Sequence, residues 1–100
     1  MLIERCTVSR KTPIDGKLEI TAAAAARLGT LDSSFSLQSE GREASARLIE
    51  MTCGCAKGGA AGMHVHHFVE SDALRALLPG AEVHVQLHTA HPRSLSVEPY

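Results

Sequence analysis

Apolar positions in this chain fall into short alternating runs, broken by glycine, proline and small polar residues. Leu18 to Ile20 reads as a strand. Thr21 then caps a helix over Ala22–Ala26, Arg27 and Leu28, and Gly29 stops it. A hydroxyl satisfies the first free amides of a helix, and glycine ends one without a Cβ penalty. Phe35 to Gln38 and Ala44 to Thr52 read as two strands of a hairpin, joined by the turn Ser39–Glu40–Gly41–Arg42. Met63 to Glu70 alternates as a further strand. Ser71 caps a second helix in SDALRALL, which Pro79 and Gly80 end, and Glu82 to His88 is a final alternating strand. The pattern predicts an α+β fold, a small mixed and mainly antiparallel β-sheet with two short helices. Residues 1–100 make a single domain, with 1–16 as an N-terminal segment and 92–100 as a loose polar tail.

The plan is written twice. LEITAAAAARLG followed by FSLQ matches HFVESDALRALLPG followed by EVHVQL as strand, hydroxyl cap, short helix, glycine stop and strand. Pseudo-duplicated β-α-β units are one explanation, and convergent cap and stop chemistry is another.

Composition narrows the function. Apolar residues make up 44% of the chain but only three are aromatic, so the core must be built from Leu, Ile, Val and Ala. Ten basic against eleven acidic residues, with no basic run, argue against nucleic-acid binding by phosphate neutralisation and against a polybasic membrane anchor. Glu4 and Arg5 interrupt the first apolar residues, so the N-terminus is not a signal peptide, and no run reaches the roughly 20 apolar residues that span a bilayer. The expectation is a cytoplasmic protein, where thiols stay reduced. Three cysteines suit metal or redox chemistry better than a disulfide framework there.

The chemistry concentrates in MTCGCAKGGAAGMHVHHF. Cys53 and Cys55 stand across a glycine-rich loop from His64, His66 and His67, in the spacing C-x-C-x8-H-x-H. Thiolate and imidazole suit zinc, iron and copper, and the glycines allow a loop to fold back on an ion. The candidate ligands of a metal ion or cluster, iron–sulfur or zinc, are Cys53, Cys55, His64, His66 and His67. Alternation puts His64, His66, Phe68 and Glu70 on one face of their strand, opposite Met63, Val65, His67 and Val69, which read as the core side. In the last strand Val83, Val85 and Leu87 face in, with His84, Gln86 and His88 out. Should these strands pair, His64, His66, His84 and His88 would share a surface. Cys6 lies far off in sequence and reads as a core or surface thiol. No nucleophile–base set forms a recognisable motif, and Lys57 lacks the G-K-[ST] phosphate grip, so the sequence favours a binding protein over an enzyme.

The flanking phrases LEITAAAAARLG and FVESDALRALLPGAEVHVQL, with ARLIEMTC between them, resemble the HesB-like, A-type iron–sulfur carrier family. The resemblance implies that fold and a ligand cysteine at Cys53. The family's paired cysteines stand in a C-terminal tail, so Cys53 alone carries over, and histidines would replace the missing thiolates. Gly58, His64, His66 and Glu70 also match the spacing of the first cupin metal motif, but a helix fills the short gap that follows. The expected function is therefore a metal carrier or accessory protein working with a protein partner or a second copy of itself. The alternatives are an interaction subunit with a structural zinc and a compact cupin-like barrel.

Overall fold

The computed structural model describes residues 1–29, 34–53, 64–89 and 94–99, with Cys53 and His64 described by backbone alone. Seven strands form one mixed sheet: β1 (Leu2–Thr7), β2 (Lys17–Ile20), β3 (Phe35–Ser39), β4 (Arg42–Cys53), β5 (His64–Ser71), β6 (Glu82–His88) and β7 (Ser94–Pro99). Their order is β1-β6-β7-β3-β4-β5-β2. β3 and β7 run parallel, and the other neighbouring pairs are antiparallel.

The sheet curls into a nearly closed barrel because each strand is apolar on one face. Leu18 and Ile20, Leu37, Ala46, Val69, Val83 and Val85, Leu95 and Val97 are all buried on that inner face. Burying one such aliphatic side chain stabilises the fold by about 1.5–3 kcal/mol, and a curled sheet buries many with few aromatics. The edge strands β1 and β2 meet through a side chain rather than a ladder. Glu4 accepts hydrogen bonds from the Thr21 amide at 3.0 Å and from the Thr21 hydroxyl. The same hydroxyl oxygen accepts from the Ala24 amide at 3.1 Å, so the seam and the helix cap share one residue.

Two short α-helices, α1 (Thr12–Asp15) and α2 (Ala22–Leu28), accompany the sheet. The α2 helix and its Thr21 cap follow the sequence reading. The Ser71-led segment is capped as expected, with Ser71 Oγ accepting from the Ala73 amide at 3.2 Å, but it forms a 3-10 helix over Asp72–Ala76. Leu77 is already extended, just ahead of the pre-proline Leu78, a position that disfavours the α conformation. Ala73, Leu74 and Leu77 are all buried, so packing rather than helix length holds the turn.

Three elements differ from the sequence reading. Residues 1–16 contribute β1 and α1, and residues 94–99 of the expected loose tail form β7, inside the sheet between β6 and β3. In β1 the charges of Glu4 and Arg5 and a register shift between Leu2 and Glu4 hide the alternation. In β7 only Leu95 and Val97 are apolar, and the partner β3 lies far back in the chain, where Ser39 Oγ donates to the Val97 carbonyl at 2.7 Å. Gly16 closes α1 with φ of 70°, and a Cβ there would come within 2.8 Å of the Ser71 carbonyl, so α1 packs directly on the end of β5. Among the described residues no helix is long and apolar enough to cross a membrane.

Candidate metal centre

The β4–β5 ladder determines which candidate ligands approach one another. Its register pairs Arg47 with Glu70, Ile49 with Phe68, Met51 with His66 and Cys53 with His64. Positions 47, 49, 51 and 53 of β4 therefore share a face with 64, 66, 68 and 70 of β5. Cys53 and His64 are the last pair of the ladder. Cys55 and the rest of 54–63 lie outside the described residues, as do the side chains of Cys53 and His64.

His66 is positioned by β2. Its Nδ1 lies 2.8 Å from Glu19 Oε2, a contact that suits the ring tautomer carrying its proton on Nδ1, since a carboxylate oxygen accepts. β2 brings Glu19 there because it pairs with β5, with Leu18 and Ile20 inside and Glu19 directly opposite Phe68. The Phe68 ring packs beside His66 with a centroid separation of 6.4 Å. Glu70, further along this face, is held by Arg47 at 2.7 Å.

His67 lies on the other face, near α2, with Nδ1 3.7 Å from Glu50 Oε1 and a side chain only 19% exposed. Neighbours in a strand point to opposite faces, so the structure does not bring His66 and His67 together. Val69 is buried on that inner face as expected, but Val65 is 54% exposed because it stands near the outer end of β5. β5 and β6 do not pair. The β7, β3 and β4 strands separate them on one side and β2 and β1 on the other, so His66 does not share a surface with His84 and His88. His88 Nε2 instead meets Ser96 Oγ at 2.9 Å on β7.

Cys6 is half-buried at the β1 seam, and its thiol donates to Glu4 Oε2 at 3.3 Å. Burial first, then that hydrogen bond and the Glu4 charge, push its pKa from 9.0 up to about 12. It stays a neutral thiol at physiological pH, unsuited to be a thiolate ligand or nucleophile. Among the described residues no group of three or more His, Cys, Asp or Glu side chains converges as a metal site.

Sequence reasoning missed Glu19. Alternation in Lys17–Ile20 turns Lys17 and Glu19 outward, but nothing local says that β2 will pair with β5. Comparison with protein-family models, curated proteins and solved structures finds no match to this chain.

Proposed function

We propose that the chain is a small metal-binding protein, an iron–sulfur or zinc carrier or accessory factor. Its site lies where β4 and β5 meet the loop between them. Cys53 and Cys55 supply thiolates, and His64 and His66 supply imidazoles. The observation that carries this reading is the ladder register, which pairs Cys53 with His64 two residues beyond the Glu19-oriented His66, on the same face. A carboxylate on one imidazole nitrogen is the usual outer support of a histidine ligand, fixing its tautomer so that the other nitrogen binds metal. His67 drops out of the set because it stands on the opposite face.

The HesB-like resemblance adds cluster chemistry at Cys53, a reducing cytoplasmic setting, and delivery to a protein partner or second copy. The repeated chain plan supports pseudo-duplication, since β2-α2-β3 and β5-(3-10)-β6 run in the same order and the β1/β6 pairing mirrors β4/β3. The second reading is an interaction subunit whose zinc only stiffens the 54–63 loop. A cupin-like site is less favoured because Glu70, which it needs as a ligand, is taken up by Arg47.

Purification without oxygen separates these readings. Iron with sulfide and visible absorption supports the carrier, whereas one tightly held zinc per chain replaces it with the structural site.

A further inference from the structure

A second site adjoins the first on the outer face of β2 and β5. A cleft of about 640 Å³ lies there, between Arg10, Lys11 and Lys17 on one side and Met51, His66 and Phe68 on the other. This size lies within the range of small-molecule pockets. Its floor is apolar: Met51 is 45% exposed and Phe68 is half-buried beside His66. Its rim is basic. The α1 turn and the start of β2 bring Arg10, Lys11 and Lys17 to one side, and none of the three side chains forms an ion pair among the described residues.

The two carboxylates in the cleft are already engaged. Asp15 Oδ1 accepts from the Lys17 amide at 2.9 Å, and Glu19 holds His66. The lining therefore sets three cations without an ion pair against two hydrogen-bonded carboxylates, a net positive excess over an apolar surface. A cation would meet that excess, a bare inorganic anion would leave the floor unused, and a neutral apolar body would leave the rim unused.

We propose that this cleft binds a small organic anion, an apolar or aromatic body carrying a phosphate or carboxylate. The anionic group is held by Arg10, Lys11 and Lys17, and the body rests on Met51 and Phe68. Arginine and lysine provide charge-assisted hydrogen bonds to such groups, and the aromatic ring provides stacking area. The cleft shares His66 and Glu19 with the proposed metal centre, but the contacts to the anion come from Arg10, Lys11, Lys17, Met51 and Phe68, so metal-free protein suffices to test it.

The test is calorimetric titration of metal-free protein with phenyl phosphate, benzoate, inorganic phosphate and benzylamine. Phenyl phosphate or benzoate is expected to bind at least tenfold tighter than inorganic phosphate and benzylamine, and comparison of the first two identifies the preferred head group. The double variant Arg10→Glu, Lys11→Glu is expected to lose at least tenfold in that affinity. Both side chains are exposed, and circular dichroism checks that the fold is kept. Arg27→Glu, Arg42→Glu makes the same change in net charge away from the cleft and is expected to leave binding within twofold. Equal loss in the two double variants, or equal binding of all four probes, overturns the proposal.

Discussion

Strands β5 and β6 carry the same alternation and are both rich in histidine, yet they meet different surroundings. In β6 the inner positions Val83 and Val85 are fully buried and Leu87 is 7% exposed. Its outward histidines lie among the polar residues of its neighbours: His84 is in register with Arg5 and Glu98, and His88 contacts Ser96. In β5 the outer end is loosely packed at Val65, one histidine is oriented by a carboxylate, and the adjacent strand ends in a cysteine. A histidine count does not distinguish the two strands. Their neighbours do, and those neighbours are set by strand order.

Packing provides the largest contrast. Leu87→Ala in β6 is expected to cost about 2–5 kcal/mol, while Val65→Ala in β5 stays within about 0.5 kcal/mol. Urea denaturation measures both, and equal losses would erase the distinction between a core strand and an exposed strand end. Next comes the carboxylate. Glu19→Gln is expected to weaken metal binding by about 10–100-fold with little change in melting temperature. Competition against a chromophoric chelator reads the affinity, and unchanged affinity would reduce β5 to another polar-faced strand.

Cys6 gives a pH-dependent contrast with the proposed thiolates. Its folded pKa is raised to about 12 from 9.0, so as pH rises from 9 toward 12 the unfolded thiol ionises first and stability falls. Below pH 9 both states are protonated and this dependence vanishes. Cys6→Ala should flatten the alkaline limb of a stability–pH profile, whereas a limb unchanged by the substitution would deny the thiol its buried, Glu4-bonded state. The smallest effect belongs to β6. His88→Ala is expected to change stability by less than about 0.5 kcal/mol and metal affinity not at all, and a loss of metal there would move the site.

Elements with strong local signals were legible in the chain. The Thr21 cap, the hairpin turn at Glu40–Gly41 and the alternation of Glu82–His88 all correspond to observed structure. β1 and β7 were not, because Glu4 and Arg5 interrupt one and only Leu95 and Val97 mark the other. Both gain stability from partners remote in sequence. The candidate site is legible only as a ligand inventory, since thiols and imidazoles announce themselves by type and spacing. Its outer support was hidden for the same reason as β7: Glu19 reaches His66 through a pairing of β2 with β5 that no local pattern specifies. Alternation correctly put His66 and His67 on opposite faces, but local pattern did not reveal that β5 and β6 would be separated.

The central claim is that thiolates at the end of β4 hold a metal together with the histidines of β5. Metal content of anaerobically purified protein, compared with a Cys53→Ser, Cys55→Ser variant, tests it most directly. The account predicts bound iron or zinc in the native chain and its loss from the variant. A variant that retains as much metal as the native protein would contradict it.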